Sequence, residues 1–388
     1  SEFVESGGAV YEVKQPKLRN IYREYTNGEG RVTCLGTTAG RDKKKNSQRM
    51  LVGTSTGRVF FHDPYGELTE KYPHYEGVVF KDEGRRSITS VGSWKAKNVE
   101  KGIMEYFVFV QVRTYGVLLF RDICDQPIVR EVDGKTTFFE QFRVIESDHY
   151  GFCPCRSFER GVYIPTSLPL LLVFKDDTCK EIKFSKEMEK GAPMSLDLLS
   201  DLPVMGTEEG IVAIFNFDPA KQEWKTSVSA KIFDSPVFSL VVYDIIYCSI
   251  IVGSVGKPIK VLDSKTLAVK QSIPFPASAK GCGSLTYNWF NGKPANKMFM
   301  AGFWDGSIRI YKEQKDKSFV EKNAIESQQA DGEKKSTTSL VWMLLDELYS
   351  ACEDGNLYSY EIFKTRKLND EEKEEYLRKK KEEELRKK

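Results

Sequence analysis

A short pattern that recurs along the chain is the feature that most restricts its fold. Each copy has an apolar segment, a tight turn ending in glycine, and a second segment in which apolar and polar residues alternate. Residues 50–63 show the pattern around Thr56-Gly57, and residues 298–311 show it around Asp305-Gly306. Glycine in such a turn supplies the positive φ that a tight β-hairpin requires. The repeated unit is therefore predicted to be a β-hairpin, and an array of such hairpins predicts a β-propeller.

Seven copies of the hairpin can be counted. Their turns lie at residues 56–57, 115–116, 176–177, 209–210, 255–256, 305–306 and 354–355. Most hairpins have a further strand-like segment on each side, so each unit is predicted to be a four-stranded antiparallel blade with strands A to D. The D strand of blade 2 is assigned to residues 128–131, and the A strand of blade 3 to residues 152–155. The interval from residue 177 to residue 210 is short. A short or missing outer strand is therefore expected in blade 3, and a six-bladed ring is the alternative.

The two ends of the chain supply the remaining elements. The last hairpin has no D strand of its own, and residues 9–14 have strand character without a blade. We expect these residues to complete the last blade, because ring closure removes exposed strand edges. Residues 1–8 are expected to be disordered and Ser1-Glu2-Phe3 to be a cloning remnant, with the propeller spanning residues 9–364. Residues 365–388 are predicted to form a charged helix capped by Asn369-Asp370, either solvated or the start of a coiled coil.

One hairpin carries a family resemblance. Residues 301–311, Ala-Gly-Phe-Trp-Asp-Gly-Ser-Ile-Arg-Ile-Tyr, resemble the second and third strands of a WD40 repeat. The resemblance extends over about residues 10–364. The third strands end in pairs such as His62-Asp63 and Leu262-Asp263, so they lack the tryptophan of the Trp-Asp pair. The chain thus resembles a divergent WD40-repeat protein, and no particular member is identified. The resemblance implies an all-β, seven-bladed WD40-like β-propeller that acts as an interaction scaffold.

Composition and charge narrow the possible classes. The formal net charge is +2, so no global attraction to nucleic acid or membrane is expected. No stretch approaches the 18 apolar residues of a membrane-spanning helix. The eight cysteines lie mostly in apolar segments, and the N-terminal residues do not resemble a signal peptide. Free thiols in the cytoplasm or nucleus are therefore expected.

The search for catalytic motifs points away from an enzyme. GxSxG, HExxH and phosphate-loop patterns are absent, and the chain has three histidines. Cys153-Pro154-Cys155 is compatible with a zinc site, and Cys282 between two glycines is compatible with a nucleophile. Neither has the partner residues such sites need, so buried thiols and a tight turn are the preferred interpretations. We predict no catalytic residue, no metal and no cofactor.

Two surfaces are candidates for partner binding. By the WD40 resemblance, the D–A and B–C loops form one face, the top, and the A–B and C–D loops form the other. The predicted top rim consists of residues that enter the A strands: Arg31, Arg86, Tyr150, Met194 and Lys280. The predicted basic sector on the opposite face comprises Arg41, Lys43, Lys44, Lys45, Arg49, Lys95, Lys97, Lys101, Arg156 and Arg160. Acidic residues at the same face of other blades include Asp201, Asp244, Asp346 and Glu347.

These features predict a non-catalytic scaffold within an intracellular multiprotein complex. Its expected partners are other proteins that present an acidic surface or a peptide, because Arg, Tyr and Trp dominate the energies of protein interfaces. The alternative is an RNA- or ribosome-associated propeller that binds the nucleic-acid backbone through the basic sector. Neither membrane association nor a small-molecule substrate is expected.

Overall fold

The computed structural model describes residues 2–39, 49–64, 66–72, 75, 77–168, 170–184, 191–243, 248–288, 297–326, 335–343, 347–362 and 365–387. These residues form a ring of seven four-stranded antiparallel sheets. The strands of each blade are given in the order A to D. Blade 1 consists of β4 Val32–Thr37, β5 Met50–Thr54, β6 Arg58–His62 and β7 Val78–Lys81. Blade 2 consists of β8 Ile88–Asn98, β9 Ile103–Val112, β10 Gly116–Asp122 and β13 Phe139–Glu146, and blade 3 of β14 Arg156–Phe158, β15 Gly161–Pro165, β16 Leu170–Lys175 and β17 Thr178–Lys183.

Blades 4 to 7 continue the same arrangement. Blade 4 consists of β18 Pro193–Leu199, β19 Leu202–Thr207, β20 Ile211–Asp218 and β21 Glu223–Lys231, and blade 5 of β22 Ser239–Tyr243, β23 Ser249–Gly253, β24 Ile259–Asp263 and β25 Val269–Ile273. Blade 6 consists of β26 Cys282–Tyr287, β27 Met298–Phe303, β28 Ile308–Glu313 and β29 Phe319–Ile325. Blade 7 consists of β30 Thr337–Met343, β31 Glu347–Cys352, β32 Leu357–Glu361 and β3 Lys17–Tyr22. The remaining elements are β1 Glu2–Ser6, β2 Ala9–Val13, β11 Ile128–Val129, β12 Thr136–Thr137, β33 Thr365–Lys367, the helices α1 Glu67–Lys71 and α2 Asp370–Arg386, and a 3-10 turn at Ala277–Ala279.

The core lies between successive blades. B and C strands are apolar on both faces, so each sheet packs against two neighbours. The cluster around Val110 and Phe120 joins blades 1 and 2, and the cluster around Trp94 and Val162 joins blades 2 and 3. The innermost strands contact one another around the whole ring, with β30 against β4 at the closure. The seven-bladed expectation is confirmed.

A small residue in strand B lies opposite a small polar residue in strand A of several blades. Gly206 pairs with Ser195 and Gly253 with Ser239. A Cβ at Gly206 would lie 2.4 Å from Ser195 Oγ and 2.6 Å from the Val237 side chain in the next blade. Ser195 Oγ donates to the Val237 carbonyl at 2.8 Å. These glycines are needed because two sheets approach closely there, as the sequence pattern predicts.

Blade 3 differs from the prediction in which two strands its recognised turn connects. The turn at Asp176-Asp177 joins strands C and D, because β16 pairs with both β15 and β17. Both aspartates have positive φ, 49° and 60°, so this turn imitates the glycine turns between strands B and C. The A strand is β14, and residues 152–155 precede it without strand pairing. Blade 3 therefore has all four strands, and the expectation of a short or missing outer strand is wrong.

The D strand of blade 2 also differs from the prediction. Ile128 and Val129 belong to a separate two-stranded hairpin with β12. The D strand is β13, which pairs along the whole of β10. Phe139 and Phe142 of this strand, together with Phe138, fill space beside blades 1 and 3. These aromatic residues thus belong to or precede an outer strand that packs between neighbouring blades.

An N-terminal strand closes the ring, but it is β3 and not residues 9–14. β3 pairs with β32 from Lys17↔Glu361 to Tyr22↔Leu357. Arg19 forms an ion pair with Glu347 of β31, which also accepts from the Tyr349 hydroxyl at 2.9 Å. Strand character in residues 9–14 is correct, yet β2 pairs with β1 and β33 outside the blades. The polar composition of β3 hides it from hydrophobic patterning.

The two ends of the chain meet in what we call the clasp, formed by β1, β2, β33 and α2. Glu2–Ser6 is a strand where the sequence predicts disorder, because it pairs with β2 along its length. The helix begins with a capping box in which Asn369 and Glu372 satisfy each other's backbone amides. Tyr376 packs on Phe3 at 4.8 Å between ring centres, and Lys380 Nζ lies 2.9 Å from a carboxylate oxygen of Glu5. The predicted C-terminal helix and its Asn369 cap are confirmed, but the helix spans Asp370–Arg386, and residues 365–367 form β33 instead.

Candidate protein-binding surfaces

Three loops at the top of blades 1 to 3 meet in one place. They are the D–A loop after β7, the B–C loop after β9 and the D–A loop after β13. Backbone hydrogen bonds join them: Arg113 N donates to Ser87 O, and Thr114 N donates to His149 O at 3.0 Å. Because antiparallel strands return each D–A and B–C connection to the same end of the sheet, the loops form a continuous surface.

The first of these loops fixes an arginine against an aromatic ring. Asp82 is buried, and it accepts from Arg86 Nε at 3.0 Å and from Arg86 Nη2 at 2.8 Å. The guanidinium lowers the pKa of the Asp82 carboxyl, so the ion pair persists at neutral pH. The same guanidinium lies 4.1 Å from the centre of the Tyr115 ring. Arg86 is thus held in one orientation with its cation over the ring.

A second arginine holds the exposed aromatic residues of the third loop. Arg113 Nε donates to the Tyr150 carbonyl at 2.7 Å, and its guanidinium lies 4.8 Å from the Phe152 ring centre. Tyr150 and Phe152 are 63% and 62% exposed. Ser167 in blade 3 donates to Asp148 at 2.6 Å, which ties the next blade to this loop.

Together these residues form what we call the top patch: Arg86, Arg113, Tyr115, Tyr150 and Phe152. Arginines hold the Tyr115 and Phe152 rings and the Tyr150 backbone. Aromatic residues that are held in this way lose little conformational freedom when a partner covers them. Guanidinium groups also add bidentate donors for a carboxylate or a carbonyl. The top patch can therefore bind a peptide or a protein surface through stacking and charge-assisted hydrogen bonds.

The other predicted rim residues lie elsewhere on the ring. Arg31 Nη1 is 3.4 Å from Glu353 of blade 7, and its amide donates to Ser55 Oγ at 2.9 Å. Met194 is half-buried within β18. Lys280 is exposed and has a positive φ of 67° in the turn before β26. The structure therefore brings Arg86 and Tyr150 together and separates them from Met194 and Lys280.

The opposite face carries the described part of the basic sector except Arg156, which was predicted in an A–B loop and instead lies at the start of the A strand β14, inside the channel. Lys95, Lys97 and Lys101 belong to the β8–β9 hairpin, and Arg160 lies in the turn before β15. Arg156 begins β14 and lines a cavity of about 220 Å³ in the central channel. Arg41, Lys43, Lys44 and Lys45 lie outside the described residues, as do Asp244 and Asp346.

Carboxylates and carbonyls engage much of this sector. Arg49 lies 2.9 Å from Glu67, and Arg160 lies 2.7 Å from Asp176. Arg156 Nε donates to the Leu196 carbonyl at 2.9 Å and lies 3.8 Å from Asp197. Lys101 is 3.8 Å from Glu105. Lys95 and Lys97 form no ion pair within the part of the chain that the structure describes, so these two lysines of the β8–β9 hairpin are its unpaired cations in that part of the sector.

The residues considered for chemistry have structural roles. Cys282 is fully buried, and burial raises the pKa of its thiol to about 12; its neighbour Gly283 packs against Trp304. Cys153 and Cys155 are buried with raised thiol pKa values. Ser90 and Gln111 of blade 2 accept from the Cys155 amide at 3.0 and 3.1 Å.

Two kinds of feature are absent from the described residues. No group of three His, Cys, Asp or Glu side chains that could hold a metal ion occurs there. In the same residues, no helix has the length and apolar character needed to cross a bilayer.

Sequence reasoning missed Arg113, Tyr115 and Phe152 of the top patch. Tyr115 immediately precedes a turn glycine, and the hairpin pattern alone accounts for a residue at that position. Phe152 lies in the segment assigned to a strand, where an aromatic residue is expected to be buried. The alternation Tyr150-Gly151-Phe152 beside an arginine in the neighbouring turn is the signal that could have found them.

Comparison with solved structures supports the propeller assignment. The chain is similar to the β-propeller domain of Cps50 (Swd1) from Myceliophteria thermophila, with a TM-score of 0.59 and 14% sequence identity. The match covers 89% of this chain and 99% of that domain. No family model matches the chain, and no curated protein matches it. At this identity the likeness establishes the fold alone.

Proposed function

We propose that this chain, a seven-bladed β-propeller with the WD40-like fold, is a non-catalytic scaffold that binds proteins inside the cell. Within the cytoplasm or nucleus, it would hold a partner through the top patch. The proposal includes the predicted residues Arg86 and Tyr150 and adds Arg113, Tyr115 and Phe152. Propellers of this kind serve many functions, so the top patch, and not the fold, supports a binding role.

One observation carries the proposal: Tyr150 and Phe152 remain exposed although arginine side chains fix their surroundings. Arg113 contacts the Tyr150 carbonyl and the Phe152 ring. Soluble proteins expose few large aromatic side chains without a reason, and clustered exposed aromatics mark interaction sites. Aromatic and arginine side chains are also the types that contribute most to protein–protein binding.

A protein partner is favoured over a nucleic-acid backbone. Nucleic-acid binding through the basic sector requires several unpaired cations along one surface, because affinity comes from phosphate neutralisation. Arg49 and Arg160 are already paired with carboxylates, and Arg156 is engaged by a carbonyl. The top patch offers stacking surfaces and two arginines, one of which is neutralised by Asp82.

Quantitative affinity capture from extracts of the source cells tests the proposal. The full chain is compared with the double variant Tyr150→Ala/Phe152→Ala. Truncation of two central contacts should reduce retention of specific protein partners at least about ten-fold. The matched control is Ile128→Ala/Val129→Ala, which removes two exposed apolar side chains from the β11–β12 hairpin, away from the patch.

Two results would count against this function. Equal retention by the double variant and the control would exclude the top patch as the binding surface. Retention that depends on intact RNA and falls steeply between 100 and 300 mM salt, on the order of ten-fold or more, would favour the nucleic-acid alternative.

A further inference from the structure

The β8–β9 hairpin projects from the face opposite the top patch. β10 pairs with β9 only as far as Arg121↔Phe107, whereas β8 and β9 continue to pair to Asn98↔Ile103. The four residue pairs from Lys95↔Tyr106 outward thus form a two-stranded ribbon without a third strand. At about 3.4 Å per residue the ribbon extends roughly 14 Å beyond the blade. We call residues 95–106 the ribbon.

The two faces of the ribbon differ in character. Opposed residues of an antiparallel pair share a face, and successive pairs alternate. Ala96↔Glu105 and Asn98↔Ile103 lie on the face that continues to Trp94, which packs on blade 3. Lys95↔Tyr106 and Lys97↔Met104 lie on the other face, the one that continues to Val91 in the core between blades 1 and 2. We call this second side the basic face.

The basic face combines positive charge with exposed apolar surface. Lys95 and Lys97 are exposed, and Met104 is 44% exposed beside them. At the tip, Val99 is 84% exposed, whereas Ile103 belongs to the opposite face. Of the ribbon's two acidic residues, Glu105 lies on the opposite face, where it accepts from Asn98 Nδ2 at 3.1 Å, and Glu100 lies in the exposed turn at the tip. No carboxylate among the described residues neutralises Lys95 or Lys97.

We propose that the basic face of the ribbon binds an acidic amphipathic segment of a partner protein. Two lysines that no carboxylate of the described residues neutralises favour an anionic ligand, and electrostatic complementarity selects partner and orientation. Met104 is flexible and polarizable, so it adapts to apolar side chains between the acids. The exposed apolar tip makes a purely phosphate ligand a poor match, because burial of Val99 and Met104 needs an apolar counterpart. A segment about 14 Å long, such as two to three turns of helix, would cover this face.

This inference extends the proposed scaffold function to a second surface, and the experiment separates the two. Tyr106 is replaced by the photo-crosslinker p-benzoylphenylalanine in the full chain. The protein is incubated with cell extract, irradiated, and the crosslinked peptides are identified by mass spectrometry. The expected peptides carry net negative charge and apolar residues at a helical or alternating spacing.

Charge reversal supplies the specificity test. Lys95→Glu/Lys97→Glu should lower the crosslink yield at least about ten-fold, because the new glutamates would repel the acidic segment of the partner. The matched control Lys180→Glu/Lys183→Glu makes the same charge change on exposed lysines of β17 and should leave the yield unchanged. All four lysines are exposed, and equal melting temperatures would verify that each variant is folded.

Several outcomes overturn the inference. They are crosslinked peptides of neutral or basic composition, crosslinks to RNA, equal loss in both double variants, and a yield no higher than that of the same crosslinker at the exposed Val320 of β29. The variant Tyr150→Ala/Phe152→Ala is captured in parallel. If it loses partners while the ribbon crosslinks fail, the ribbon assignment falls and the scaffold function stands. If the crosslinks persist while the top-patch variant retains all partners, the top patch is excluded as the binding surface.

Discussion

Arg113 and Phe152 lie in different loops, and the Arg113 guanidinium is 4.8 Å from the centre of the Phe152 ring. The same side chain donates to the Tyr150 carbonyl at 2.7 Å. One residue of the β9–β10 turn therefore orders the loop that carries both exposed aromatics.

The substitution Arg113→Met should loosen this loop without unfolding the propeller. A methionine keeps part of the apolar stem and removes a cation–π contact and a hydrogen bond, each contributing about 1 kcal/mol. Amide hydrogen exchange in residues 147–155 should accelerate by about ten-fold, and partner capture should weaken. Arg130→Met, in the loop that joins β11 and β12, serves as control. Unchanged exchange in residues 147–155 would show that Arg113 does not order the loop.

Gly206→Ala should destabilise the contact between blades 4 and 5. The added methyl group would meet Ser195 Oγ at 2.4 Å and Val237 at 2.6 Å, and overpacking of this kind costs about 1–3 kcal/mol. The urea midpoint should fall accordingly. Gly84→Ala is the control, since its Cβ would meet only side-chain atoms of Arg86 and Asp82 at 3.2 Å or more. A midpoint equal to that of the control would contradict the close approach of the sheets.

Tyr376→Ala should release the helix of the clasp. Its ring contact with Phe3 is replaced by a methyl group, whereas the ion pair between Lys380 and Glu5 is exposed and contributes little. Hydrogen exchange should rise in residues 2–6 and 370–387, while the blades keep their protection. Leu377→Ala, on an exposed position of the same helix, should have a smaller effect. Equal effects of the two variants would mean that the ring contact does not hold α2.

Acidic pH should lower the free energy of unfolding of the propeller, because His62 is buried in its neutral form. Burial lowers the pKa of this imidazole to about 4, and its Nδ1 contacts the Tyr25 hydroxyl. An unfolded histidine titrates near 6.5. Between pH 6.5 and pH 4 the unfolded state thus binds a proton that the folded state does not, so stability is full above pH 6.5 and falls as the pH is lowered. The loss from this residue approaches about 3 kcal/mol.

Urea unfolding between pH 7 and pH 4.5 checks this expectation. The variant His62→Gln should show a shallower loss of stability than the native chain. A residual slope should remain, because burial also lowers the pKa of His149. Identical slopes for the two proteins would show that His62 does not titrate in this manner.

How far the sequence predicts the fold depends on the strand. The B and C strands are apolar on both faces and are joined by glycine turns, so patterning finds them in six blades. The outer strands are half-exposed and polar. Their pairing is decided by contacts across the chain, as Lys17↔Glu361 shows. Asp176-Asp177 adopts the backbone of a glycine turn, which shifts the apparent phase of blade 3 by one strand.

The candidate site was harder to predict than the fold. Arg86 and Tyr150 follow from their positions before A strands. Arg113 and Phe152 become partners only when two loops meet, a relationship that no local pattern carries. The same is true of the ribbon. The lysines at alternate positions of β8 form a candidate binding face only together with the residues that pair with them on β9.

The register of the closure strands sets how the ring would respond to a mechanical load. Tyr11↔Lys367 and Lys17↔Glu361 lie at the ends of their strand pairs that are nearest the two chain ends. Once α2 and β1 have detached, a force pulling the chain ends apart would therefore act on one hydrogen bond at a time and peel β33 from β2 and then β32 from β3. The hydrogen bonds of the closing strands act together against thermal unfolding, but under a pulling force they would break one after another. Blade 7 would therefore be the first blade to open.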